Sequence, residues 1–372
     1  MPIKVGAGHL LTNYFETSAF RWGVNIDDMW TYAGLPQPTN IDRKQVVSKW
    51  IEGGWRGISH RNVTIGNPAV PEDYDGEFPE LRKSANEAVS NLAKELELAH
   101  IDYVRCWFQW NFFQPNISSA SFRFPLDDFV SKLKSKNIEI VAVLGNGYSR
   151  FLPLGIDEND PAGYLRSLTK ASREIVRHYS NSIGVWQIEN EPNWWFAHVA
   201  SGWRRGEIWE TQGFQDAVLQ ILHNVVREES PSSTIAINLE ADRKRTDWKS
   251  YSKYCDVIGI DFYPNYMKPL PIDVASFALA TEVKTQVGLP IFIAETGYPS
   301  GPKLEGYSEA NQALYVTVAS QQALSLDALN GVSFWRYSDS GWKSSPMQEN
   351  YFGMKRQRRF FKASLEQLCR ND

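Results

Sequence analysis

The chain has little cysteine, no long apolar run and no strong charge imbalance, and each of these excludes something. Only Cys106, Cys255 and Cys369 occur, an odd number set far apart. That is neither a disulfide framework nor a zinc-ligand spacing, so free, partly buried thiols are expected. No stretch approaches the roughly 18 apolar residues of a membrane span. The opening Met1 to His9 lacks the charged-then-apolar build of a signal peptide. A cytoplasmic chain is therefore expected, or a secreted one if the chain has been trimmed. Thirty-nine basic against 43 acidic residues leave a net charge of -4, so neither a nucleic acid nor a membrane is expected as partner. The six histidines form no helical pair or metal-ligand spacing, which predicts no metal and no cofactor. Nothing in the pattern fixes the oligomeric state. The basic run Lys355 to Arg359 and polar runs such as Asn311-Gln312 are read as solvated helix faces.

What is present is a large apolar fraction and many aromatics. With 42% hydrophobic residues, 372 residues suffice for one large domain with a sizeable core. Fourteen Trp and 16 Tyr are more than cores usually take. Flat aromatic faces suit the apolar faces of sugar rings, although large core residues with a polar handle account equally well for many of them.

The chain alternates short β-branched runs with helical periodicity. Strands are predicted at Arg21 to Asp27, Ile101 to Phe108, Ile138 to Leu144, Val185 to Asn190, Thr234 to Leu239, Val257 to Pro264, Ile291 to Glu295 and Val332 to Tyr337. Helices are expected near 82–99, 125–136, 160–180, 212–229, 245–253, 273–286, 308–325 and 357–369. Asp160-Pro161 reads as an N-cap with proline at the first helical position, and Ser308 as another cap. Nearly continuous hydrophobicity in the strands fits a parallel sheet buried on both faces. Eight such units predict a single α/β domain over 1–372, a (β/α)8 TIM barrel with its site at the C-terminal strand ends. An open doubly wound sheet has less support, because no glycine-rich phosphate loop follows the first strand. Residues 28–80 form a long irregular insertion after strand one, a loop or small subdomain over the active-site face, with a short helix near 43–52.

Two of these strands end in glutamates. Val185 to Asn193 breaks from an apolar run into Asn190-Glu191-Pro192-Asn193, followed by Trp194, Trp195 and Phe196. Ile291 to Ser300 breaks into Glu295-Thr296-Gly297-Tyr298-Pro299. One glutamate alone is more often an ion-pair partner. Two at facing strand tips, beside proline and aromatics, are what glycoside hydrolysis needs: one carboxyl to protonate the leaving oxygen and one to attack.

These motifs at strands four and seven resemble the clan A glycoside hydrolases, retaining β-glycosidases on (β/α)8 barrels. The resemblance implies Glu191 as acid/base and Glu295 as nucleophile. It further implies Asn190 on the sugar 2-hydroxyl, Arg105 beside the nucleophile, Tyr263 hydrogen-bonded to it, and Trp335 as the platform beneath the sugar. Ala294 to Ser300 is similar to the nucleophile stretch of the β-1,3-glucanase family, and Asn190 to Asn193 to the cellulase and mannanase family. The histidines of the latter are missing, since strand three ends in Gly145-Asn146-Gly147-Tyr148 and Phe262 precedes Tyr263.

From their places near strand ends, Trp194 and Trp342 are the first candidates for stacking platforms, followed by Trp107, Trp110 and Trp195. Asn25, Asp27 and Asn146 are candidates for sugar hydroxyls, and Glu240 and Asp261 for substrate contacts or salt bridges. The expectation is a retaining hydrolase of a β-linked glucan or its oligosaccharides. Alternatives are a β-mannanase, β-galactosidase or transglycosylase of the same clan, a non-catalytic sugar-binding barrel, or a barrel acting on phosphorylated metabolites. The last has only Gly301 and Lys303 for its phosphate site.

Overall fold

The computed structural model describes residues 13–16, 19–26, 79–108, 110–114, 117–118, 121–122, 124, 126–145, 153, 155–157, 160–193, 213–241, 246–336, 352 and 354. The insertion expected at 28–80 lies outside the described residues except for its last two positions, which open a helix. Asp27, Asn146, Trp194, Trp195, Trp342, Cys369, the basic run Lys355 to Arg359 and the helices expected near 43–52 and 357–369 also lie outside them.

Eight parallel strands close into a barrel in sequence order. They are β1 (Arg21–Ile26), β2 (Tyr103–Trp107), β3 (Glu139–Val143), β4 (Val185–Asn190), β5 (Thr234–Glu240), β6 (Val257–Phe262), β7 (Ile291–Thr296) and β8 (Leu329–Phe334). Closure is made by β1 against β8, with Gly23 opposite Ser333 and Val24 opposite Phe334. The eight strands expected from hydrophobic pattern are the eight observed.

Among the described residues the helices are α1 (Pro79–Leu98), α2 (Trp110–Phe113), α3 (Asp127–Lys134), α4 (Pro161–Tyr179), α5 (Phe214–Glu229), α6 (Trp248–Ser252), α7 (Leu279–Val287) and α8 (Glu309–Leu324). Their ends follow local chemistry. Asp160 accepts the Gly163 N–H at 2.9 Å with Pro161 following it, and Ser308 accepts the Asn311 N–H at 3.1 Å. Both caps satisfy first-turn N–H groups that have no partner inside the helix. Helix α4 buries Tyr164, Leu168, Ala171, Ile175, Val176 and Tyr179, a stripe of period near 3.6 that faces the sheet. The short α2 carries too few residues for such a pattern, and no periodicity marks it.

Alternation along each strand splits the core in two. Outward residues such as Val104, Cys106, Ile140, Trp186, Ile188 and Ile258 pack under the helices. Inward residues Tyr103, Val141, Val185, Ala236, Val257, Phe292 and Ala294 fill the barrel's lower half. Gly23 is required here, because a Cβ would lie 2.3 Å from the Tyr103 ring. The N-terminal mouth is plugged by the turn at Asn13 to Glu16. Phe15, fully buried, stacks on Phe292 at 4.5 Å, and the Tyr14 N–H donates to Thr234 Oγ1 at 3.0 Å. Cys106 and Cys255 are free and buried. Among the described residues no helix is long and apolar enough to cross a membrane. With its lower half filled by apolar side chains, the barrel can host polar chemistry only at its upper end.

Candidate active site

At the upper end the inward residues turn polar: Asn25, Arg105, Gln187, Asn190, Asn238, Asp261, Glu295 and Ser333 are all buried. The two glutamate strands also lose regular register there. Pairing of β4 with β5 shifts between Gln187 and Asn190, and pairing of β7 with β8 shifts between Ile293 and Thr296. Such irregularities re-aim side chains next to functional sites. They let Asn190 and Glu295 point into the barrel although simple alternation does not place them there. Glu191 follows at a φ of 43°, a left-handed conformation unusual for a residue other than glycine. Its N–H donates to the Asn238 carbonyl at 3.1 Å.

The other residues of the two glutamate motifs have structural work. Asn193 ties the tips of β4 and β5, donating to the Glu240 carbonyl at 2.9 Å and accepting the Glu240 N–H at 3.0 Å. Pro192 is buried, and its carbonyl accepts from Gln215 at 2.7 Å. In the second motif the Thr296 hydroxyl bonds the Tyr315 hydroxyl of α8. Gly297 must be glycine because a Cβ would lie 2.2 Å from the Trp335 carbonyl oxygen. Tyr298 donates to the Pro269 carbonyl at 2.8 Å. Gln312, expected on a solvated face, is buried and donates to the Tyr298 carbonyl at 2.8 Å. A buried amide in a helix that packs under a loop finds its partner in that loop's backbone.

Arg105 is the hub. Its guanidinium donates to Glu295 Oε1 at 2.6 Å, Asn25 Oδ1 at 2.7 Å, Gln187 Oε1 at 2.6 Å and Asn190 Oδ1 at 2.5 Å. Tyr263 donates to the other Glu295 oxygen at 2.6 Å. Glu295 thus has a fixed counter-ion and both carboxylate oxygens held. Asn190 Oδ1 also accepts from Asn238 at 2.9 Å, and Gln187 donates to Asn238 Oδ1 at 2.5 Å. Asn238 donates in turn to Asp261 Oδ2.

Glu191 stands in the opposite electrostatic setting. The residue keeps some exposed surface, but its carboxyl is enclosed. Burial first, then the charge of Glu295, push this carboxyl up to about 8, against the lowering effect of its hydrogen bond with Asp261. Asp261 is held well above the usual carboxylate range, again by burial first and then by Glu295 and Glu191.

The structure therefore brings Arg105, Asn190, Glu191, Tyr263 and Glu295 together at one end of the barrel. Asn25 sits among them but is occupied internally, donating to the Ala294 carbonyl at 2.9 Å and to Ser333 Oγ at 3.0 Å. It braces Arg105. Trp335 is half-buried at the tip of β8, with its N–H on the Thr296 carbonyl at 2.6 Å, and is joined to Arg336 by a cis peptide. Trp107 is buried with its ring against Gly145, whose φ is +54°. Trp110 is fully buried and donates to Gln114 at 2.9 Å, so it is a packing residue and no stacking platform. Gln187 and Asn238 were not singled out from sequence. Their signal was present as amides set between apolar neighbours, in Trp186-Gln187-Ile188 and Ile237-Asn238-Leu239. Among the described residues no group of three or more His, Cys, Asp or Glu is placed to hold a metal ion.

Comparisons with known proteins agree with this geometry at the level of fold. No protein-family profile and no curated protein matches the sequence. Many solved structures match the fold. The GH5_18 protein from Streptomyces cattleya, solved with GlcNAc, superposes with a TM-score of 0.63 at 15% identity over 76% of this chain and 74% of its own. A family 39 glycoside hydrolase from Bacteroides cellulosilyticus gives 0.55 at 17% identity, over 76% of this chain. A β-D-glucuronidase from Dictyoglomus thermophilum gives 0.54 at 17% identity, over 77% of this chain. This chain spans 60% and 46% of the length of the latter two. The chain shares its barrel fold with glycoside hydrolases of several families.

Proposed function

We propose that the protein is a retaining β-glycosidase that works by double displacement. The observation that carries this reading is the different surroundings of two carboxyls in one site. Glu295 is paired with Arg105 and Tyr263, while Glu191 is held protonated near neutral pH. The carboxyl whose proton is held suits the acid, and the one held by Arg105 and Tyr263 suits the nucleophile.

In the first step Glu295 attacks the anomeric carbon and forms an ester bond. The glycosidic C–O bond breaks, and the departing oxygen takes its proton from Glu191. In the second step Glu191, now ionised, takes a proton from water, whose oxygen displaces Glu295 from the anomeric carbon with a second inversion. Net retention follows. In this reading Asn190 presents its amide to the 2-hydroxyl and Trp335 stacks beneath the sugar, which the resemblance to clan A glycoside hydrolases supports.

The substrate proposed is a β-linked glucan or its oligosaccharides. Support comes from the likeness of Ala294 to Ser300 to the β-1,3-glucanase nucleophile stretch and from the abundance of tryptophan. Product release from β-glucans, mannan, galactan and aryl β-glycosides, measured for wild type beside Glu295→Gln, tests both parts. Turnover of one member that disappears in the variant supports the reading. Equal activity in both proteins refutes Glu295 as nucleophile, and oligosaccharide binding by both without any turnover refutes the enzyme.

A further inference from the structure

Asp261 has no part in the two-step scheme, yet its carboxyl is enclosed within the site. It lies on β6, opposite Glu240 of β5 and Glu295 of β7 in the ladder, and is 2% exposed. Oδ2 accepts from Asn238 Nδ2. Oδ1 is buried with no N–H or hydroxyl donor among the described residues. The carboxyl of Asp261 interacts with that of Glu191, which follows β4 and whose backbone N–H is bonded to the same Asn238. Two carboxyls in contact need a proton between them, because neither has a donor when both are ionised.

Charge balance decides how many protons the pair holds. The groups facing Asp261 are Glu191 from β4, Glu240 from β5, Glu295 from β7 and the Arg105 guanidinium from β2; Tyr263 follows it at the tip of β6. Arg105 is the one cation among them, and it is already matched by Glu295 at 2.6 Å. Among the described residues no further positive charge acts on Asp261, so the neutral acid is the cheaper form of this second buried carboxyl.

We propose that Asp261 is a protonated carboxylic acid at neutral pH that donates a hydrogen bond from Oδ1 to the Glu191 carboxyl, a positioning residue for the acid/base. The catalytic consequence rests on the glycosidase reading above; the protonation and the bond do not. Asp261 gives up no proton in either step. Its O–H orients Glu191, and it steadies the Glu191 carboxylate that exists between the departure of the leaving group and the entry of water. The bond from Asp261 lowers Glu191 and the bond to Glu191 raises Asp261, the pattern of a donor at Asp261 and an acceptor at Glu191.

Infrared difference spectra of the intact chain near neutral pH test this without any substrate. Two protonated-carboxyl C=O bands are expected in the wild type, one lost in Asp261→Asn and kept in Glu191→Gln, the other lost in Glu191→Gln and kept in Asp261→Asn. A wild-type Asp261 that shows only carboxylate bands overturns the proposal. Carbon NMR of isotope-labelled aspartate in the wild-type chain gives the same reading if Asp261→Asn fails to fold. Titration of Glu191 then gives the sign. Asp261→Leu removes the donor, so the Glu191 midpoint is expected to rise by about one pH unit, while Asp261→Asn retains a donor and holds it within about half a unit. A fall of the midpoint in either variant means Asp261 is ionised, and no change in Asp261→Leu means its role is only structural. Both results refute the proposal. A dead enzyme with the expected spectra would instead refute the glycosidase reading alone.

Discussion

Replacing Glu191 by Gln has a consequence for stability that is independent of any substrate. In the folded chain this carboxyl titrates at about 8, against 4.5 for an ordinary glutamate. The folded state therefore holds the proton more tightly than the unfolded state. The stabilisation is fully present below about pH 4.5 and is lost as pH rises through about 8. The window is about 3.5 pH units wide, and each unit corresponds to about 1.4 kcal/mol, so the upper limit is ~5 kcal/mol. Coupling to Asp261 and the residue's partial exposure reduce this, and ~2 kcal/mol is the working expectation. Gln keeps the shape and the acceptor for Asp261 but cannot ionise. Urea unfolding of both proteins at mildly acidic and mildly alkaline pH is the assay. The variant's stability relative to wild type should improve by ~2 kcal/mol between the two conditions. A difference that is the same at both pH values, or that moves the other way, refutes the assignment of a raised carboxyl at Glu191.

Other perturbations test other parts of the account. Arg105→Met leaves the Glu295 carboxylate buried without its counter-ion and should cost ~3–5 kcal/mol in denaturant unfolding; Arg105→Lys cannot reproduce four bonds from one planar group and should recover only part of this. Tyr263→Phe removes a hydrogen bond to Glu295, worth ~1.5–3 kcal/mol for a charged acceptor, so kcat/KM should fall roughly 10- to 100-fold with little change in fold by circular dichroism. Phe15→Ala opens the plug beneath Phe292 and should cost ~3–5 kcal/mol by thermal unfolding, without shifting the basic limb of the pH–rate profile.

The barrel was legible because its strands are buried on both faces, so continuous β-branched runs such as Val257-Ile258-Gly259-Ile260 mark them without ambiguity. Caps at Asp160 and Ser308 were legible for the same kind of reason, since each depends on one side chain and its own next turn. The plug at Tyr14 and Phe15 was not. Its partners Thr234 and Phe292 lie more than two hundred residues away, and no local pattern encodes that contact. The site divides along the same line. Glu191 and Glu295 stand out where apolar strands end at proline-containing turns, whereas Asn25 was legible as polar but not as a brace, because that depends on Arg105 lying across the barrel. Asp261 could be seen as a strand-end acid, but its contact with Glu191 requires the closed ring of strands.

The most direct test of double displacement is mass spectrometry of the protein after incubation with an activated 2-deoxy-2-fluoro-β-glycoside, followed by peptide mapping. The account predicts a stable covalent adduct of one sugar, carried by the peptide that contains Glu295 and missing from Glu295→Gln. An adduct on Glu191 or Asp261, or turnover of the parent glycoside with inversion and no adduct, would contradict it.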